Sequence, residues 1–110
     1  MAEKYTQFDG VEVHKPEKGD IYIHFKGNHY EVIGIAIDAT NDKLYREYVV
    51  YKRLFKSQLY IRDIDEFMSE VDKTKYPDCG ERWRFCYYGN RKDPDIVLDY
   101  NDKKAHRRWK

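Results

Sequence analysis

The sequence predicts a mainly β protein: a small antiparallel barrel, one short α-helix and a β-hairpin extension at the C-terminal end. Three observations predict it. Short runs of β-branched and aromatic residues, such as Ile21-Tyr22-Ile23-His24-Phe25 and Tyr48-Val49-Val50-Tyr51, alternate with turn-rich segments, the pattern of half-buried strands. Aromatic residues make up 16% of the chain, with eleven tyrosines, and such rings suit thin walls where one end of the side chain stays wet. Gly34 lies in the middle of the apolar run 32–37, where a residue without a side chain marks a sharp bend or barrel corner.

The first 17 residues carry few periodic apolar positions beyond Val11 and Val13, so they are read as an arm or a short edge strand. Lys15-Pro16-Glu17-Lys18-Gly19-Asp20 is a turn, because proline fixes one backbone angle and glycine permits a positive one. A strand over 21–25 places Ile21, Ile23 and Phe25 on one face and Tyr22 and His24 on the other. Lys26-Gly27-Asn28 closes a hairpin to a second strand over 29–37. The polar loop 38–43 leads to a third strand over 44–52, and a fourth follows over 58–62. The isoleucines of the first two strands are expected to line the interior.

Asp63-Ile64-Asp65-Glu66 matches a capping box, in which Asp63 accepts from free helix amides and Glu66 reaches back to the cap. Ile64, Phe67, Met68 and Val71 then form one apolar stripe, so a helix over 63–71 is expected to stopper the open end of the sheet. Further on, residues 82–88 and 96–100 read as the two arms of a C-terminal hairpin around the turn-rich segment 89–95. The resulting organisation is an arm (1–17), a barrel domain (18–77), a hairpin extension (78–102) and a basic tail (103–110).

The run Tyr22-Ile23-His24-Phe25-Lys26-Gly27, then Tyr30-Glu31-Val32-Ile33-Gly34-Ile35-Ala36, Tyr48-Val49-Val50-Tyr51, and Leu59-Tyr60-Ile61-Arg62 leading into Phe67-Met68 together resemble the DUF1653 family of bacteria and phages. The resemblance covers roughly residues 18–77 and implies a small SH3-like β-barrel, with no activity attached to it. The sequence departs from the family pattern at Ile37-Asp38-Ala39-Thr40, at Asp63 and at Asp78. A fold shared in this way implies architecture more than role, because small barrels host many unrelated functions.

Charge narrows the function classes. The formal net charge is +1, so no whole-molecule field draws in nucleic acid or a membrane. The distribution is uneven, however: five of the 21 Lys/Arg fall in 103–110, leaving 16 against 20 Asp/Glu in the rest. No apolar run is long enough to span a bilayer, and the first residues lack the apolar stretch of a secretory signal. A soluble cytoplasmic protein is expected, with Cys79 and Cys86 as reduced thiols and a disulfide across a local hairpin as the alternative.

No motif sets a nucleophile beside a base and an oxyanion donor, and no glycine loop opens a helix in a phosphate-binding pattern, so no enzyme and no cofactor are expected. His24 and His29 flank a hairpin turn, but two imidazoles fall short of the three or four ligands a zinc site needs, so no metal is expected. His24 is instead expected on the polar face of its strand and His29 on the hairpin surface.

Binding remains. Tyr22, His24, Lys26, Tyr51, Tyr60 and Arg62 are candidates for an aromatic and basic face on the barrel, where rings stack bases and cations meet phosphate. Arg82, Trp83 and Arg84 repeat the combination, and the tail adds Arg107 and Arg108 beside His106 and Trp109. The tail's alternative is to dock on the acidic series Asp93, Asp95, Asp99 and Asp102. The leading expectation is a non-catalytic binding module with nucleic acid as the partner. The alternative is a protein-binding adaptor of phage origin acting through a strand edge or a tyrosine patch.

Overall fold

The computed structural model describes residues 3–7, 9–40 and 45–108. Part of the expected third strand, at Leu44, and the tail residues Trp109 and Lys110 lie outside them. The chain is mainly β and antiparallel. β1 (Lys4–Thr6) pairs with β2 (Glu12–His14), so the expected arm is a small hairpin. The main sheet has five strands in the order β6-β5-β4-β3-β7: β3 (Asp20–His24), β4 (His29–Ile37), β5 (Glu47–Arg53), β6 (Leu59–Asp63) and β7 (Phe85–Asn90). A separate hairpin joins β8 (Ile96–Asp99) to β9 (Lys104–Arg107). None of the described helices is long and apolar enough to cross a membrane.

The sheet is curled but not closed. β6 and β7 are its two edges and do not pair with each other. In a flat sheet β5 and β7 would stand about 14 Å apart, at three strand spacings. The Tyr51 and Phe85 ring centroids are only 5.5 Å apart, so the sheet coils around its inner face. A bulge between Val32 and Gly34 in the β4–β5 pairing contributes to that bend.

Tyrosines and phenylalanines line the interior where isoleucines were expected. Tyr22, Val32, Val49, Tyr51, Ile64, Phe67 and Phe85 form the concave core, and Ile33 and Ile37 are exposed. Ile21 belongs to a second core on the opposite face, with Leu54, Ile96 and Ala105. Strand alternation explains the split: Ile21 and Tyr22 are neighbours and must face opposite ways, and both are buried because the C-terminal hairpin covers the outer face there. Gly89 allows that hairpin to come close, since a Cβ on it would stand 2.9 Å from the Ile96 Cδ1.

The helix α1 spans only Ile64–Phe67. Asp63 caps it, accepting from the Asp65 and Glu66 amides at 2.8 and 3.3 Å. Glu66 does not reach back as a capping box requires, because Arg62 Nη1 holds its carboxylate at 2.6 Å. The helix stops where the Ser69 hydroxyl and amide both donate to the Glu66 carbonyl, the local competition that disfavours serine inside helices. From Glu70 the backbone bridges to Trp83 instead. Phe67 nevertheless fills the expected place, fully buried at the mouth of the curl.

The C-terminal half departs most from expectation. The strand from the 82–88 segment does not pair with the 96–100 segment; it joins the main sheet against β3, from Asp20↔Asn90 to His24↔Phe85. The sheet thereby draws its fifth strand from beyond residue 77. The partner of β8 is the tail, where Ala105 is buried and its amide donates to His29 Nδ1 at 3.1 Å. His29, expected at the surface, is buried beneath this contact, and burial together with the Lys104 charge lowers its pKa.

Candidate functional site

The hairpin between β3 and β4 aims His24 and its neighbours at one end of the curled sheet. Gly27, at φ +101°, makes the tight reversal, and its amide donates to the His24 carbonyl at 2.7 Å. The Lys26 amide donates to His24 Nδ1 at 3.2 Å, which leaves Nε2 to carry the proton of the neutral ring. Partial burial, then the charges of Arg62, Lys26 and Arg84, push the His24 pKa down to about 4. His24 is therefore a neutral donor at pH 7, surrounded by cations.

Rings connect this corner to the edge of the sheet. Centroid separations run 5.8 Å from Tyr60 to Tyr51, 5.5 Å from Tyr51 to Tyr30, 6.2 Å from Tyr30 to His24, 4.4 Å from His24 to Phe25 and 4.9 Å from Phe25 to Tyr76. Cations lie along the run: Arg62 stands 5.8 Å from the Phe85 centroid, and Lys26 and Lys75 stand 5.1 and 5.5 Å from that of Tyr76. Hydrogen bonding to Lys26 lowers the Tyr76 pKa, as do the Lys26 and Lys75 charges.

Arg62 is positioned from below. Its Nε donates to the Tyr51 hydroxyl at 3.2 Å, and Glu66 takes its Nη1. Arg84 Nε donates to the Ser69 hydroxyl at 3.2 Å. Among the described residues, Glu66 is the one acid that forms an ion pair with any of these four cations. The ledge is thus rich in donors and positive charge, and it sits on aromatic faces. Such a surface can hold anionic groups and offer planes for stacking.

The expected site residues divide into four groups. His24, Lys26, Arg62 and Arg84 come together, with Tyr60 at the far end of the ring run. Tyr22 and Tyr51 are core residues, 2% and 5% exposed, and present no ring face to a ligand; alternation placed Tyr22 correctly opposite to Ile21 but could not say which face is covered. Arg82 and Trp83 form a separate pair, with the guanidinium 4.6 Å from the ring centroid and engaged by Asp9 and Glu70 at 2.9 and 3.2 Å. Arg107 and Arg108 sit on the C-terminal hairpin, where the tail docks as its alternative reading had it: Arg107 donates to Asp93 at 3.3 Å and to the Tyr88 carbonyl at 2.6 Å, and the Arg108 amide donates to the Asp95 carbonyl at 2.6 Å.

Phe25, Tyr30, Lys75 and Tyr76 belong to the ledge, with the buried Phe85 ring beneath Arg62, and none of these was singled out from the sequence. Phe25 and Tyr30 flank the same turn as His24, a signal available in the strand register. Tyr76 and Phe85 arrive through long-range packing, which no local pattern announces. Cys79 and Cys86 are both free thiols, with burial and the neighbouring Glu81 raising the pKa of Cys86.

Comparison with known proteins agrees with this architecture. The sequence model of the family DUF1653, described as a protein of unknown function, matches residues 20–87. A solved structure described as a protein belonging to DUF1653 from Bordetella bronchiseptica is 29% identical, with a TM-score of 0.50, and the alignment covers 66% of this chain and 88% of that one. Among curated proteins there is no match. The matched span runs from the first residue of β3 through Tyr87 and so takes in four strands of the curled sheet and the first half of β7: the chain belongs to the DUF1653 family.

Proposed function

We propose that this chain is a non-catalytic module that binds single-stranded nucleic acid across the ledge formed by His24, Lys26, Arg62, Lys75, Tyr76 and Arg84. The observation that carries the reading is the gathering of Arg62, Lys26 and Lys75 over aromatic rings, 5.8, 5.1 and 5.5 Å from the Phe85 and Tyr76 centroids, beside rings that continue to the half-exposed Tyr60. Cations set among stacking planes are what a phosphate backbone with unpaired bases requires. The curled sheet is read as an SH3-like barrel left open between β6 and β7, with the ledge across one end of the opening. Two free thiols suit a reducing compartment, and the cytoplasm is the proposed location.

Fluorescence anisotropy with labelled single-stranded and duplex oligonucleotides across a salt series tests this. Affinity for single strands should fall steeply with salt, and the Lys26→Ala/Arg84→Ala double variant should flatten the log–log slope by about 1.4, at about 0.7 per lost phosphate contact. Binding that is absent, or indifferent to that variant, refutes the reading.

A second reading, a protein-binding adaptor acting through a strand edge, is favoured by one observation. On the β6 edge Leu59, Tyr60 and Ile61 are consecutive and exposed, at 50%, 46% and 65%.

A further inference from the structure

The N-terminal hairpin is held to the rest of the fold by polar struts. His14 Nε2 lies 2.9 Å from Asp20 Oδ2, Arg82 Nη2 donates to Asp9 at 2.9 Å, the Tyr5 hydroxyl donates to Asp65 at 2.7 Å, and Lys15 pairs with Glu47. Between these struts the hairpin does not close fully on the sheet. A cavity of about 250 Å³ remains, with Val13 and His14 of the hairpin on one side and Tyr22, Trp83, Phe85 and Tyr87 on the other. Tyr22 and Tyr87 are register partners on β3 and β7, and the Tyr87 ring meets His14 and Tyr22 edge-on at 4.3 and 5.5 Å. The family match begins at residue 20, so the hairpin side of this cavity lies before the matched span.

One polar group in the cavity is left unused. Tyr22 is 2% exposed, yet its hydroxyl has no hydrogen-bond partner among the described residues. None of their sealed side-chain oxygens or nitrogens lacks a partner, so the hydroxyl is the part of Tyr22 that stays open, into the cavity. The nearby Asp20 is already engaged by His14, by the Glu17 amide and by the Asn90 side chain. A hydroxyl held in an apolar setting without a partner is costly, and a bound molecule with a matching group relieves that cost.

Size and lining define the occupant. An apolar cavity of roughly 150 Å³ takes benzene, and drug-sized ligands use roughly 300–1,000 Å³. This one falls between, with room for one or two rings, and walls made of rings favour a planar aromatic guest through edge and offset contacts. Burial, then Asp20, Tyr87 and Glu17, raise the Tyr22 pKa. Burial, then the Asp20, Glu17 and Asp93 charges, raise that of Tyr87 against the opposing pull of Arg107. Carboxylates therefore dominate the field at the polar end and repel an anion. From the open hydroxyl in a ring-lined cavity, we infer that the space beneath the β1–β2 hairpin is a binding site for a small planar aromatic molecule of one or two rings, with a hydrogen-bonding group and no negative charge. Tyr22 fixes the polar group, and the inference does not depend on the ledge.

Phenol, toluene and benzoate titrated into the isotope-labelled full chain and followed by NMR test this. Phenol should give saturable shifts at Tyr22, Phe85 and Tyr87, toluene should bind more weakly, and benzoate should not bind. Tyr22→Phe should weaken phenol about five-fold, the loss of one ordinary hydrogen bond, and leave toluene unchanged. Val13→Trp fills the cavity from the hairpin without altering the main sheet and should abolish binding of both, with circular dichroism establishing that the variant is folded. Absence of a saturable phenol shift overturns the inference. So does a Tyr22→Phe chain that binds phenol as well as the wild type, benzoate binding as tight as phenol, or phenol shifts that persist in Val13→Trp.

Discussion

Phe67 and Phe85 stack face to face, their rings 8° from parallel and their centroids 4.1 Å apart. One comes from the four-residue helix and the other from the fifth strand, so this contact ties the plug to the curled sheet. Tyr22 and Tyr51 meet the Phe67 ring edge-on at 5.1 and 5.4 Å. Truncation by Phe67→Ala removes all three contacts and leaves a cavity. The expected loss is about 3–5 kcal/mol, read as a lower urea midpoint with the slope unchanged.

Stability should fall in mild acid because of His24. Its pKa is about 4 in the folded chain against an ordinary 6.5, so between these values the unfolded chain binds the extra proton. The contribution is fully present above pH 6.5 and is lost as pH falls toward 4. His24→Gln should flatten the stability profile in that window, and NMR titration of the His24 ring should give the depressed midpoint directly. On the proposed ledge, added oligonucleotide should move that midpoint upward, since bound phosphate offsets the neighbouring cations.

Arg91 grips Glu31 with two bonds, Nε to Oε2 at 2.8 Å and Nη2 to Oε1 at 2.6 Å. Glu31 is buried, on the middle strand of the sheet. Arg91→Ala strands that carboxylate and should cost about 2 kcal/mol, whereas Arg91→Ala combined with Glu31→Gln should recover part of it. Chemical denaturation of the set checks the order.

Deleting residues 103–110 should damage the fold more than it weakens oligonucleotide binding. It removes β9, the buried Ala105 and the amide bonded to His29. Arg107→Ala and Arg108→Ala, by contrast, should leave anisotropy titrations nearly unchanged, because both residues lie on the hairpin and away from the ledge. A lower melting temperature for the truncation, with normal binding by the two point variants, is the expected pairing of results.

What was legible in the sequence was what local physics dictates. β4 begins and ends where its apolar run and the glycine-asparagine turn put it, and Asp63 caps the helix as its side chain allows. What was not legible depends on distant partners. Nothing near Phe85 says that its strand will pair with β3, and the tail's lysines and arginines outweigh the single Ala105 that marks an inward position. The ledge was half visible: His24, Lys26, Arg62 and Arg84 carry obvious charge or ring chemistry, but Tyr76 joins only because the chain after the helix returns past the first hairpin. Tyr22 and Tyr51 misled for the opposite reason, since a tyrosine at a strand position is equally suited to a wall and to a surface until its covering is known.

The two hydrophobic clusters lie on opposite sides of one sheet, and this separates their fates. The C-terminal clasp can lift from the outer face, wetting Leu54 and Ile96, without water reaching the rings around Phe67. Amide hydrogens of β8 and β9 should therefore exchange through a partial opening, well before those of β4 and β5, which wait for the whole molecule to come apart. Peeling of the clasp thus precedes, and does not require, the cooperative loss of the curled sheet.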